Sequence, residues 1–378
     1  MGRLDAATVV VTFLASNARR IVIKIGTNTL TQGGRVVNQD WVERLCCQVA
    51  ELQKRGLEVI LVSSGAIGLG MGRLGLERRP RGLNKLQACA AIGQSILMEC
   101  WARGFGQYDA TCAQVLLTHE DLKHRERHVA VRETLEQLLR YGVVPVINEN
   151  DTVSTDEIKF GDNDLLSALT ASLTNADLLV ILTTAPGLLD LKGSGQLVPV
   201  VETITPEIEA MAGGSVTQTS VGGMISKIQA AKVATGSGCG VYIGDGTDPV
   251  ILMHLANGRA VGTFFLPNSL ELDARHRWMA FFQRPTGRIV IDPGAVTALR
   301  EQGVSLLAKG VTSVDGAFLE GEVIDICNPE GVPIARGQSN YAAHELASIV
   351  GKRSEVIQPL FPQKQRYEVV HRDHLVLL

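Results

Sequence analysis

Between Pro145 and Thr170 the chain reads PVINENDTVSTDEIKFGDNDLLSALT, and no other stretch limits the fold so much. It opens as a buried strand over Val143–Ile147. It then gathers Asn148, Glu149, Asn150, Asp151, Asp156, Glu157, Lys159, Asp162, Asn163 and Asp164 into a short span. It closes on Leu165, Leu166, Ser167, Ala168 and Leu169, an amphipathic helix start. Short polar side chains after the carboxyl end of a strand, leading into a helix, are what a ligand crevice in an open α/β sheet requires. A solvated turn with one Asp helix cap would not need so many carboxylates and amides.

The residues before and after repeat this strand-and-helix alternation. Ile21–Ile25 is a β-branched strand with Lys24 near its end, followed by the small-residue turn Gly26, Thr27, Asn28, Thr29. Asn38 caps a helix whose inward face is Val42, Leu45, Val49 and Leu52, and Gly56 stops it. Glu58–Val62 is the next strand, with a second small-residue turn over Ser63–Gly70. A long buried helix spans Asn84–Trp101, then come a strand at Cys112–Leu117 and a helix at Arg127–Arg140. After the opening stretch, a helix from about Asn163 to Leu173 leads to a strand at Leu178–Leu182 and the turn Thr183–Gly187. Residues 190–219 form a looser excursion. Gly222, Gly223 and Met224 open another helix, and Val241–Ile243 is a strand. This order predicts an α/β domain with a mainly parallel sheet sandwiched by helices.

Near Gln283–Gly287 the texture changes to short strands and turns. Strands are expected at Arg288–Ile291, Ser305–Leu307, Val311–Val314, Glu322–Cys327 and Glu368–Val370. Helices are expected from Asp292-Pro293 to Gly303 and over Ser339–Val350. The predicted organisation is an N-terminal extension at 1–19, the α/β domain at 20–284 and a small, mostly β, barrel-like domain at 285–378.

A net charge of −3 over 378 residues gives no global argument for a nucleic-acid or membrane partner. No apolar run approaches the ~18 residues of a membrane span. The seven cysteines include the adjacent pair Cys46-Cys47 and show no metal-ligand spacing, which fits reduced thiols and a cytoplasmic location. His119, His124 and His128 lie near one another without carboxylates at matching spacing, so they read as structural rather than metal-binding.

Four features converge on phosphoryl chemistry. Lys24 ends a strand before a Gly/Thr turn. Gly222, Gly223 and Met224 open a helix with Lys227 in its first turn, where glycines, a helix N-terminus and a full charge together suit a phosphate. Ser63, Ser64, Gly65 and Ala66 offer donors at another strand end, and Asp162 lies in the acidic stretch. No GxxxxGK[ST] and no GxGxxG after the first strand is present, which argues against a Walker loop or a dinucleotide site. Transfer to a carboxylate needs no general base, because the acceptor is already ionised. Its difficulty is bringing one anion onto another, which lysines, Mg²⁺ and oriented N–H groups relieve.

The runs IVIKIGTNTL, VSSGAIGLG, PVINENDTVSTDEIKFGDNDLLSALTA and GGMISKIQAA, in this order and spacing, resemble the amino acid kinase family, most closely its bacterial glutamate 5-kinase branch. GRIVIDPGAVTAL, SLLAKGV, GEVIDICN and VHRDHL resemble the PUA domain that this branch carries. The resemblance covers about residues 20 to 375. It implies ATP-dependent phosphorylation of the L-glutamate γ-carboxylate, the first step of proline synthesis, with proline as feedback inhibitor. On it, Lys24 and Lys227 would stabilise the transferring phosphoryl group and Asp162 would organise them. Ser64, Asp151 and Asn163 would bind glutamate, with Asp151 facing its ammonium. Lys24, Thr183, Thr184, Val221, Gly222, Gly223, Met224, Ile225, Ser226 and Lys227 would line the ATP site. Lys159 and Asp164 fall beside it. Mg²⁺ would arrive mainly on ATP, without a metal site of the protein's own. A homo-oligomer and a glutamyl phosphate reductase partner are also implied.

The chain departs from the family pattern on the nucleotide side. Thr184 stands where an aspartate is usual, Val221 replaces a threonine, and Leu188-Leu189 replace an aromatic residue. An active kinase with altered ATP affinity or nucleotide preference is expected. Two rivals are another carboxylate or carbamate kinase of this fold, and a regulatory or RNA-binding protein with a degenerate kinase half. The RNA reading would use Arg284, Arg288, Lys352, Arg353, Lys364 and Arg366.

Overall fold

The computed structural model describes residues 18–153, 162–191, 193–212, 223–268, 279–280, 283, 285–364 and 366–378. The chain divides into two compact units, Met1–Glu271 and Leu272–Leu378.

In the first unit, β1 (Arg20–Ile25), β2 (Glu58–Ser63), β3 (Cys112–Leu117), β4 (Val144–Glu149), β5 (Leu178–Thr183), β6 (Val200–Val201), β7 (Gly240–Asp245) and β8 (Gly262–Phe265) form one sheet. Its order is β3-β4-β2-β1-β5-β7-β8-β6. The pairs β1–β2, β1–β5, β2–β4, β3–β4, β5–β7 and β6–β8 are parallel, and β7–β8 is antiparallel. The central strands are buried on both faces, so they read as continuous apolar runs rather than as alternation. Chain connectivity departs from β1 in two directions, toward β2 on one side and β5 on the other. A crevice opens at the carboxyl ends of such strands.

The helices form where the apolar spacing placed them, with shifted ends. Asn38 Oδ1 accepts from the Trp41 backbone N–H at 3.1 Å and starts the helix Gln39–Lys54. Its Val42, Leu45, Val49 and Leu52 are buried, as their spacing requires. The second small-residue turn is shorter than expected, because a helix already begins at Ala66 and runs to Arg73. Gly65 precedes it at φ +112°, a left-handed conformation open to glycine at little cost. The long helix spans Leu83–Gly106 and packs closely on Ala66–Arg73. Its Trp101 Nε1 donates to Ser63 Oγ at 3.2 Å, which ties the helix to the end of β2.

In the second unit, β9 (Gly287–Ile291), β10 (Val311–Gly316), β11 (Val323–Cys327), β12 (Pro333–Gln338) and β13 (Leu375–Leu377) form a mixed sheet in the order β10-β9-β11-β12-β13. Asp292 caps the helix Pro293–Gln302, which ends at Gly303. Three elements differ from expectation, and the strands β12 and β13 add to those expected. Ser305–Leu307 and Glu368–Val370 are not strands but meet through a single bridge, Leu306 to Val370. The helix expected from Ser339 starts only at Ala343, where Glu345 Oε2 accepts from the Ala342 N–H at 3.0 Å. The core of this unit includes Ile289, Ile291, Ile324, Ile326, Tyr341, Leu346 and Val370.

Candidate active site

The carboxyl ends of β1, β2, β4 and β5 open onto a cleft of about 630 Å³. Lys24 enters it from β1. Lys227 enters from the first turn of the helix Met224–Gly236, which begins at Gly223. Between them stands Asp164, from the first turn of the helix Asp162–Leu173. Lys24 Nζ lies 2.6 Å from Asp164 Oδ1, and Lys227 Nζ lies 3.3 Å from Asp164 Oδ2. Ser226 Oγ donates to Asp164 Oδ2 at 2.6 Å. The three charged groups are 6%, 7% and 1% exposed for Lys24, Lys227 and Asp164. One carboxylate thus spaces two buried cations, and the trio carries one net positive charge at neutral pH. Burial disfavours ionisation of Asp164, but the two lysines and the Ser226 hydroxyl outweigh it and hold the carboxyl below the usual carboxylate range. Burial pulls the Lys227 ammonium below its ordinary value. The Asp164 charge opposes this shift and the Lys24 charge adds to it.

Beyond β2 and β4 the cleft wall is polar but carries amides. Asn163 Nδ2 donates to Ser64 Oγ at 2.8 Å and to Asn148 Oδ1 at 2.9 Å. Asp151 is buried, and Glu149, Arg35 and Arg79 also line the cleft. On the β5 side the lining is Thr183, Thr184, Ala185, Gly187, Leu188 and Leu189, with Gly223 and Met224 opposite. A cation pair separates an amide- and carboxylate-lined end from a threonine- and leucine-lined end. This layout suits transfer of an anionic group between two ligands.

The family model for the amino acid kinase family matches residues 19–245, and that for the PUA domain matches residues 287–360. A glutamate 5-kinase of Geobacter sulfurreducens is 45% identical, covering 97% of this chain and 99% of that protein. One of Cupriavidus metallidurans is 47% identical, covering 96% and 99%. The chain belongs to the glutamate 5-kinase branch of the amino acid kinase family. Among solved structures, a carbamate kinase of Giardia aligns at TM-score 0.47 and 17% identity, over 67% of this chain and 100% of that one.

Of the residues singled out in this kinase sequence, the structure brings Lys24, Ser64, Asp151, Asn163, Thr183, Thr184, Gly223, Met224 and Lys227 onto one cleft. Ser226 reaches it through Asp164. Ile225 faces outward, 53% exposed. Val221, Gly222 and Lys159 lie outside the described residues. The resemblance gives the organising role to Asp162; among the described residues the carboxylate that joins the lysines is Asp164, two residues later. Asp162 begins the helix, and its side chain is outside the described part. The sequence reading names Asn148 only as one of the polar residues of the crevice span and does not name Gln94. The signal for Gln94 was present: a polar residue on the buried face of a helix otherwise read from Ala90, Gly93 and Leu97.

The lowered Lys227 value has a kinetic consequence. In the role that the resemblance gives it, Lys227 would stabilise a transferring anion only while protonated. Activity therefore falls as pH rises through a value below that of an ordinary lysine, and the Lys227→Arg variant, charged at all working pH, loses that alkaline limb. A pH–kcat profile checks this. A limb left in place by the arginine would assign the ionisation to another group.

Proposed function

We propose that the chain transfers the γ-phosphoryl group of ATP to the γ-carboxylate of L-glutamate, giving L-glutamyl 5-phosphate for proline synthesis. The observation that carries this reading is the Asp164 carboxylate held between Lys24 and Lys227 at the strand ends. A carboxylate oxygen attacks the γ-phosphorus, the bond from phosphorus to the bridging oxygen breaks, and its electron pair leaves on ADP. No proton moves, so no general base is required. The barrier is electrostatic, and two buried ammonium groups act where the low dielectric makes them strongest. Asp164 keeps them from repelling one another apart.

Glutamate fits the amide-lined end. Ser64, Asn163 and Asp151 can receive its α-carboxylate and ammonium, which leaves the γ-carboxylate toward the lysines. ATP fits the β5 end, with its phosphates at the N-terminus of Met224–Gly236. Among the described residues no group of His, Cys, Asp or Glu side chains could hold a metal ion, and Asp164 gives both oxygens to cations. On the proposed reading Mg²⁺ enters as part of the MgATP substrate. Among the described residues, no helix is long and apolar enough to cross a membrane. Inhibition by proline, assembly into a homo-oligomer and hand-over to a glutamyl phosphate reductase rest on the family resemblance.

The test is a hydroxylamine-trap assay with MgATP, L-glutamate and the purified chain, with and without L-proline. Hydroxamate that depends on both substrates is expected. Its absence with glutamate, alongside its formation from another carboxylate, would move the substrate assignment to that acid. On the nucleotide side, Thr184 lies along the cleft. Thr184→Asp combined with Val221→Thr is expected to change the KM for ATP by about threefold or more, leaving that for glutamate in place. An unchanged ATP constant would remove any role for these departures.

A further inference from the structure

A chain of amides leads from Gln94, behind the cleft wall, out to the cleft itself. Gln94 sits inside the helix Leu83–Gly106, 8% exposed, and does not line the cleft. Its Oε1 accepts from Asn148 Nδ2 at 2.8 Å. Asn148, at 3% exposure near the end of β4, therefore turns its Oδ1 the other way. That oxygen accepts from the Glu149 backbone N–H at 2.9 Å and from Asn163 Nδ2 at 2.9 Å. Asn163 Nδ2 gives its second hydrogen to Ser64 Oγ at 2.8 Å.

Each amide leaves its neighbour one orientation. An amide nitrogen cannot accept and an amide oxygen cannot donate, so the choice made at Gln94 propagates outward. At the end of the chain, both hydrogens of Asn163 Nδ2 are used. Asn163 Oδ1 is buried in the cleft wall with no hydrogen-bond partner among the described residues. Ser64 Oγ, already an acceptor, has its own hydrogen left to donate. The wall therefore presents a bare acceptor beside a hydroxyl donor, which matches an ammonium next to a carboxylate. A buried acceptor without a partner is costly unless a ligand satisfies it.

We propose that Gln94 is a positioning residue for amino-acid recognition. By fixing the Asn148 amide it holds Asn163 Oδ1 as the acceptor for the α-ammonium of the substrate. This deepens the proposed function and rests on it. Without the Gln94 acceptor, only the Glu149 backbone N–H still holds the Asn148 amide in place; when that amide turns, its nitrogen faces Asn163, and Asn163 turns its own nitrogen toward the ammonium.

The experiment compares Gln94→Leu, of similar volume without polar atoms, with Gln94→Glu, which keeps the acceptor oxygen. Each is assayed with L-glutamate and with glutarate, which lacks the amino group. For Gln94→Leu, the KM for glutamate is expected to rise about tenfold, with kcat and the KM for ATP within about twofold of wild type. Its preference for glutamate over glutarate should fall about tenfold, and Gln94→Glu should restore most of both. A general packing defect would instead move the ATP constant and leave the glutamate-to-glutarate ratio in place, and that result overturns the proposal. So does a Gln94→Glu variant that behaves like the leucine variant. If the wild type makes no product from glutamate at all, the proposed function fails first, and the two failures are told apart.

Discussion

Replacing Asp164 by asparagine is expected to lower kcat by about 10²- to 10³-fold, with a smaller change in the KM for glutamate. The variant keeps the size of the side chain and removes its charge. Lys24 and Lys227 then lose the carboxylate that both of them pair with. Their repulsion draws them off the line of transfer and favours a neutral Lys227. The effect falls on the transition state, where charge on the transferred group is greatest, so kcat carries it. The same change at Asp162 is the comparison to make. An equal or greater loss there, with Asp164→Asn nearly unaffected, would return the organising role to Asp162. A stability measurement goes with it. The Asp164 carboxyl is held below its unfolded value, so its contribution is present above the ordinary carboxylate pKa and disappears as pH falls through the lowered one. The gap in stability between wild type and Asp164→Asn should therefore narrow in acid. A gap that widens in acid would contradict the sign of this shift.

The largest effect on folding is expected from Gly93→Ala. A Cβ at Gly93 would stand 1.7 Å from the backbone oxygen of Ala66 and 2.6 Å from the Gly70 nitrogen. Both obstacles are main chain, so no side chain can swing aside. The helix Ala66–Arg73 would have to move off the helix Leu83–Gly106, at a cost of about 3 kcal/mol, the upper end of the usual range for overpacking. Thermal unfolding should shift down by about 5–10 °C. Gly70→Ala meets the Cys89 oxygen at 1.9 Å and should behave alike. The shift has a functional side, because Ala66–Arg73 begins directly after Ser64 and Gly65, which line the cleft. A variant with a wild-type melting temperature would mean that the two helices are free to separate without loss.

Much of this was legible in the sequence because the strands of a parallel sheet are long apolar runs and the helices carry clean three-and-four spacing. The α/β class, the cation pair and the amide-rich wall followed from those patterns and from the family runs. The choice between Asp162 and Asp164 did not. They stand only two residues apart in the same polar run. Periodicity decides such cases only when one face is exposed, and here Leu166–Ala171 is buried throughout. The strand β12 escaped for another reason. It carries Arg336, which reads as solvated. Asp325 at 2.7 Å and the carbonyls of Ala280 at 2.6 Å and Gln283 at 3.1 Å satisfy it from outside its own neighbourhood. The strand β13 spans only Leu375–Leu377, too short to show alternation.

The placement of Lys24 on a strand with β2 and β4 to one side and β5 and β7 to the other has an evolutionary corollary. On the proposed function, the groups that read the acceptor come from one half of the sheet and those that read the donor from the other, joined by the carboxylate between the lysines. On that reading, exchanges at Thr184, Leu188 and Leu189 would retune the use of nucleotide and leave the choice of amino acid in place.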